Sequence, residues 1–325
     1  MSGQRNFVIG VDLGGTNIAA GLVNSAGQVL RQEKVKTKAQ KGAQEILDRL
    51  MSTIEKVSDK DTWKQVQAIG IGSPGPLDPE TGVILDTPNL SLKNCPLGPA
   101  VQVRFGVPVF VDNDVNVGTL GEYVYGAGRG FRNVVGIFVG TGIGGGLILD
   151  GKLWHGTSKN AGEIGHMVIQ PDGPLCGCGN RGCLEALASR KSIMRDLALA
   201  VQNGRPTSLL DSVGKDRDLL KVRSKAIAKS YHNGDPLVKE TLDKAAGYIG
   251  LAVKSLVHLL GAELFVLGGG VVEAIGEAFL EPIRAEVLHC LPGTAEGVEV
   301  RISALGDQAG ILGAAALART RLTES

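Results

Sequence analysis

Val134 to Gly151 reads VVGIFVGTGIGGGLILDG. Gly140, Gly142 and Gly145 satisfy G-x-G-x-x-G directly after an apolar run, and Glu163 stands 18 residues further on, near the acidic position of a dinucleotide-binding fingerprint. That fingerprint has to open a helix. The residues that follow, Gly146 to Gly151, instead read as a second strand ending in a hairpin turn. The stretch is strand, glycine turn, strand, which sets aside a hydride-transfer fold. No G-x-x-x-x-G-K followed by Ser or Thr occurs, which sets aside a P-loop nucleotidase.

The same pattern stands at the start of the chain. Phe7 to Val11 is an apolar strand, Asp12-Leu13-Gly14-Gly15-Thr16-Asn17 a turn, Ile18 to Val23 a second strand, and Asn24 to Gly27 a hairpin turn into a third strand read as far as residue 30. Two turns of one design predict an internal duplication and a shared ligand. Backbone N–H groups freed by glycine, with hydroxyls from Thr16 and Thr141, suit phosphate oxygens. Asp12 would repel a phosphate unless a cation stands between, so its predicted part is to hold the hydration shell of Mg²⁺. The 47 glycines among 325 residues are read in the same way, as backbone approaching phosphates.

A second cluster lies from Ala161 to Glu185, AGEIGHMVIQPDGPLCGCGNRGCLE. His166, Cys176, Cys178 and Cys183 supply one imidazole and three thiolates for one tetrahedral zinc ion. Such a site has no open position for water, so the metal is read as structural, pinning a loop that buries little apolar surface. The competing reading is free thiols or a disulfide. Five cysteines is an odd number, and MSGQRNFVIG lacks the apolar centre of a secretory leader, so a reducing, cytoplasmic setting is expected. A redox C-x-x-C is absent.

Composition bounds the remainder. With 34 basic and 33 acidic residues, a net charge of +1 and no long Lys/Arg run, nucleic-acid binding has no electrostatic support. The apolar segment Tyr248 to Leu260 is broken by Lys254 and His258, so no membrane span is expected. Buried strands are predicted at Val66–Gly72, Pro108–Val111, Glu263–Leu267 and Val298–Ile302. Helices are predicted around Ile46–Ile54 and over Ala186–Val201, Leu219–Tyr231, Pro236–Leu260 and Asp307–Arg319, with Arg205 to Asp218 a surface loop. The length fits two α/β domains.

The run from Gly165 to Glu185, G-H-x9-C-x-C-G-x-x-G-C-x-E, resembles the signature of the ROK family of sugar kinases and repressors. The two glycine turns resemble the phosphate motifs of the sugar kinase, Hsp70 and actin superfamily, and Gly268-Gly269-Gly270 resembles its adenosine motif. The resemblance covers nearly the whole chain. It implies an α/β, two-domain, duplicated ribonuclease-H-like fold with a small zinc-bound loop: residues 1–115 with 307–325 in a small domain, 116–306 in a large one, and ATP between them. Asp12, Gly14, Gly15, Thr16, Asn17, Thr141, Gly142, Gly144, Gly145, Gly269 and Gly270 are then the ATP-binding residues.

For the sugar, the residues alone give Asn113-Asp114 two readings, an acid facing a cleft at a strand end or the cap of the next helix. The resemblance implies Asp114 as the base for the sugar hydroxyl and Asn113 as a sugar ligand. Glu163 and Glu185 can each accept from adjacent hydroxyls, Asn89 can donate and accept, and Gly75 lies in the Ser73-Pro74-Gly75-Pro76 loop. Glu185 also reads as a first-turn helix residue complementing the dipole. The resemblance turns the second ring nitrogen of His166 toward the sugar.

Only 11 residues precede Asp12, too few for the DNA-binding domain of a repressor. A non-catalytic sugar sensor is the further alternative. The expectation is an ATP-dependent hexose kinase with structural zinc and Mg·ATP, a homodimer by resemblance. Ser73 to Asp78 and Thr87-Pro88-Asn89-Leu90 resemble glucokinases of the family, so glucose is the expected hexose. Ser91-Leu92-Lys93-Asn94 stands where many of these carry a tryptophan, which keeps mannose, N-acetylmannosamine, fructose and allose as alternatives, and polyphosphate as a donor.

Overall fold

A computed structural model describes residues 6–87, 89–212 and 218–324. In chain order the elements are β1 (Phe7–Leu13), β2 (Asn17–Val23), β3 (Val29–Lys36), α1 (Ala43–Lys56), α2 (Lys60–Trp63), β4 (Val66–Ser73), β5 (Leu77–Asp78), β6 (Val83–Thr87), β7 (Leu92–Cys95), α3 (Leu97–Phe105), β8 (Val109–Asn113), α4 (Asp114–Tyr125), β9 (Val134–Val139), β10 (Ile143–Leu149) and β11 (Lys152–Leu153). There follow α5 (Leu184–Ala188), α6 (Arg190–Gln202), α7 (Ser224–His232), α8 (Pro236–Leu260), β12 (Leu264–Gly268), α9 (Gly270–Ile275), α10 (Glu277–Val287), β13 (Glu299–Ile302) and α11 (Ala309–Glu324).

Two five-stranded sheets repeat one plan. The first runs β3-β2-β1-β4-β8 and the second β11-β10-β9-β12-β13. In each, three antiparallel strands joined by hairpins are followed by two parallel ones. The registers agree as well, with Gly10 opposite Gly21 in one sheet and Gly136 opposite Gly146 in the other. A short third sheet, β5-β6-β7, is added beside the first.

Helices α4 and α11 lie between the two sheets. Ile311, Leu312, Ala315 and Ala318 of α11 cluster with Val8, Ala19, Val23 and Ala68 of the first sheet. Ala314, Ala316 and Leu317 cluster with Val117 and Leu120 of α4 and Val134, Ile148, Leu264 and Val266 of the second sheet. Much of the glycine serves this packing, a correction to its reading as phosphate contact. A Cβ on Gly10 would stand 1.9 Å from the Ile311 carbonyl oxygen, one on Gly70 1.8 Å from that of Ala314, and one on Gly313 1.9 Å from that of Val117. Gly136 and Gly146 make room in the second sheet for Thr119 of α4. The outer faces are covered by α1, α3 and the small sheet on one side and by the helices of the second half on the other.

The helix predicted over Ala186–Val201 is two helices. Ser189 breaks the run with an extended backbone, and its hydroxyl accepts the Ser192 N–H as the cap of α6. The predicted Leu219–Tyr231 helix is a single turn at Leu219–Lys221 followed by α7. Part of the Arg205–Asp218 segment, residues 213–217, lies outside the described residues, as does Pro88. Pro236–Leu260 is one helix, capped by the Asp235 carboxylate, which accepts from the Leu237 and Val238 N–H groups.

Candidate active site

A cleft of about 430 Å³ opens between the two halves. From the first half it is lined by Gly75, Asn89, Asp112, Asn113 and Asn116, and from the second by Gly145, Lys159, Asn160, Glu163, His166 and Glu185. Every sugar residue expected from the sequence except Asp114 lines it. Asp112, Asn116, Lys159 and Asn160 were not anticipated.

Strand β8 delivers the floor. Asn113 caps α4, its Oδ1 accepting from the Val115 and Asn116 N–H groups at 2.9 and 3.3 Å. The capping reading therefore holds, and it leaves the Asn113 Nδ2 as the group free to face a ligand. Asp112 is buried; its Oδ1 accepts from the Asn113 N–H at 2.7 Å and from Asn116 Nδ2 at 3.0 Å. That bond orients the Asn116 amide, whose buried Oδ1 has no hydrogen-bond partner among the described residues. Asp114 lies in the first turn of α4, its Oδ1 accepting the Val115 N–H at 2.9 Å. Burial raises its pKa above the ordinary carboxylate value, against the lowering effect of backbone N–H groups.

Asp12 stands near the end of β1 with its carboxyl against Gly310 in the first turn of α11. Burial pushes its pKa up to about 6, the charge of Asp114 adds to the rise, and Lys34 opposes it. A carboxyl whose ionisation is opposed by burial and by a second carboxyl is an arrangement a divalent cation relieves. The turn after Asp12 is closed by the Gly14 N–H on the Asn17 carbonyl and by the buried Thr37, whose hydroxyl donates to the Gly14 carbonyl at 2.6 Å. Gly15 faces the backbone of Asn89, joining this turn to the cleft.

The second turn is joined to the cleft by Glu185. Its Oε2 accepts the Ile143 N–H at 3.0 Å and lies 2.2 Å from where a Cβ on Gly142 would be, while the same residue lines the cleft. Gly144 packs on Val115 and Gly145 on Ile164, so the turn touches both the start of α4 and the metal loop. Gly269 lies against the backbone of Val139, immediately before this turn. Beyond Thr141 a second cavity, of about 500 Å³, is lined by Glu185, Ser189, Arg190, Met194 and Leu220 among others.

In the metal loop, His166 Nδ1 is 3.7 Å from Cys176 Sγ, Cys178 Sγ is 3.7 Å from Cys183 Sγ, and all four donor atoms lie within 4.8 Å of one another. Zinc–sulfur bonds of about 2.3 Å give tetrahedral sulfur pairs about 3.8 Å apart, which this spacing fits, whereas a disulfide needs about 2.05 Å. The Nε2 of His166 points the other way and lies 3.8 Å from Glu163 Oε2. The loop returns on itself through the Leu184 N–H to the Met167 carbonyl and the Cys176 N–H to the Asn180 carbonyl.

A model of the ROK family matches residues 8–321. The chain belongs to the ROK family. Among its relatives, this ROK protein is 36% identical over 317 residues to a glucokinase of Thermotoga maritima, covering 97% of this chain and 98% of that one. It is 36% identical, with a TM-score of 0.80, to a ROK family glucokinase from Streptomyces griseus solved with glucose and AMPPNP, covering 97% and 99% of the two chains. It is also 32% identical to a xylose repressor of Caldicellulosiruptor bescii, covering 95% of this chain and 77% of the repressor. Among the described residues no helix is long and apolar enough to cross a membrane.

Proposed function

We propose that this ROK protein transfers the γ-phosphoryl group of ATP to a hexose, glucose first among them, in the cleft between its two halves. The observation that carries the reading is Glu185. One carboxylate lines the sugar cleft and accepts a hydrogen bond from the glycine turn read as phosphate-binding, so acceptor and donor sites share a wall. The relatives named above include a glucokinase solved with both glucose and an ATP analogue.

In this reading Gly75, Asn89, Asn113, Glu163, His166 and Glu185 hold the sugar hydroxyls, and Asp114 takes the proton of the attacking one. Asp12, Gly14, Gly15, Thr16 and Asn17 and, from the other half, Thr141, Gly142, Gly144 and Gly145 hold the phosphates. The contact of Gly269 with Val139 and the cavity beyond Thr141 support a nucleoside on that side, with Gly270 adjoining. Mg²⁺, held by Asp12 through its hydration shell, would neutralise the phosphates. Zinc on His166, Cys176, Cys178 and Cys183 would fix Glu163 and Glu185, with His166 Nε2 turned to the sugar.

The repeated sheet plan supports a duplicated ribonuclease-H-like fold. The seat of α11 on the first sheet supports a small unit of residues 1–115 with 307–325 and a large one of 116–306. A homodimer belongs to the same reading. The test is ADP release with Mg·ATP over a panel of hexoses. Glucose is expected to give the highest kcat/KM; turnover with none of them would overturn the reading.

A further inference from the structure

The strap from Trp154 to Ala161 follows β11 of the second sheet, yet two of its side chains bond to the first half. His155 Nε2 donates to Asp112 Oδ2 at 2.6 Å. Lys159 Nζ lies 2.9 Å from Asp78 Oδ1 and 2.6 Å from Glu80 Oε2. The strap's other hydrogen bonds among the described residues are at its base and within itself, through the Trp154 N–H to the Leu147 carbonyl, the Lys159 N–H to the Gly156 carbonyl, the Ala161 N–H to the His155 carbonyl and the Asn160 side-chain amide to the Ser158 carbonyl. Lys159, Asn160 and Ala161 line the cleft.

The backbone of Lys159 makes its side chain the point of interest. Its φ is 61°, a left-handed conformation that glycine adopts freely and a residue with a Cβ adopts at a cost. What the lysine supplies there is an ammonium group between two carboxylates of the opposite half. Those carboxylates raise its pKa, Glu80 first, and Lys159 in turn lowers that of Asp78.

We propose that Lys159 is an affinity-determining residue of the sugar site: by joining the strap to Asp78 and Glu80 it holds the cleft shut over the bound hexose and slows its departure. It touches no reacting atom and acts by position. The inference rests on the hexose-kinase reading. Because a hexose is uncharged, salt dependence of its KM at saturating Mg·ATP reports ion pairs of the protein rather than of the hexose.

Lys159→Gly is the decisive variant, since it removes the ammonium and relieves the backbone together. It is expected to raise the KM for glucose about fivefold to tenfold, the reach of one or two partly exposed ion pairs, with the KM for ATP unchanged. Lys159→Arg should restore most of the affinity. Asp78→Asn with Glu80→Gln should reproduce the loss, and adding Lys159→Gly to that pair should change nothing further. Raising NaCl from about 50 to about 500 mM should raise the wild-type KM for glucose and leave that of Lys159→Gly unmoved.

The chain has two tryptophans, and Trp154 stands in the strap, so Trp63→Phe leaves a single reporter of its position. Glucose should shift Trp154 emission at lower concentration with Lys159 than with glycine. If Lys159→Gly keeps the wild-type KM and the wild-type emission titration, or weakens ATP and glucose alike, the proposal is overturned. If the unaltered protein forms no sugar phosphate, the kinase reading fails instead, and the emission titration still decides whether the strap closes on a sugar.

Discussion

Two aspartates carry the sharpest expectations at the scale of single residues. Asp114→Asn keeps the shape of a hydrogen-bond partner and loses the basicity, so kcat is expected to fall about a hundredfold with sugar affinity little changed. Burial raises the Asp114 pKa, so kcat/KM for the sugar should fall as pH drops through a range above the ordinary carboxylate one, and the variant should lose that limb. Asp12, at about 6, should link metal to pH. Its folded pKa lies above its unfolded value, so its share of metal-free stability is present at low pH and lost as pH rises through about 6. Mg²⁺ favours the ionised form. Added Mg²⁺ should therefore raise Tm at about pH 7.5 and not at about pH 5, and Asp12→Asn should abolish the difference. Asp12, Asn113 and Glu185 could be read from the sequence because each stands beside a motif. Asp112 and Asn116 were one and three residues from Asn113, a strand neighbour and the next turn of the helix, but nothing local marked them. His155 and Lys159 sit in a segment that reads as plain surface loop, and only the meeting of the two halves gives them partners.

Elements were legible where burial leaves a periodic trace. β9 and α8 run as expected from end to end because an unbroken apolar run and a capped, proline-led helix are strong local signals. The second half of β3 was hidden by its exposure, since VLRQEKVK buries no residue fully on this edge strand. The β5-β6-β7 sheet escaped because its strands have two to five residues. The gathering of His166, Cys176, Cys178 and Cys183 was legible from their spacing alone, and the test of a metal there belongs at this scale. Fresh protein is expected to contain about one zinc per chain by metal analysis. Cys178→Ser should weaken sugar binding more than nucleotide binding, because the loop holds Glu163 and ends at Glu185. Equal loss of both, or full sugar affinity without metal, would separate the loop from the site.

For the whole molecule, the join between halves contains a buried carboxylate beside its apolar packing. Glu122 is fully buried at the C-terminal end of α4. It accepts from the Ala127 N–H, on the first crossing between the sheets, and from the Ala304 and Leu305 N–H groups, on the second. The second crossing leads into α11, and with it to the oldest part of the chain as it is made. Arg319 donates to the carbonyl of Asn6 across 313 residues, and the groove over Gly10 and Gly70 admits nothing but the backbone of that last helix. On the ribosome, the first sheet is complete in sequence long before the helix that covers it exists. Val8, Ala19, Val23 and Ala68 must wait exposed to water or be shielded by a chaperone until synthesis is nearly over. A chain stopped after Leu305 should be cut by protease within its first hundred or so residues, and a separate peptide of residues 306–324 should restore protection. The amino-terminal half, first to be translated, is thus the last to be finished.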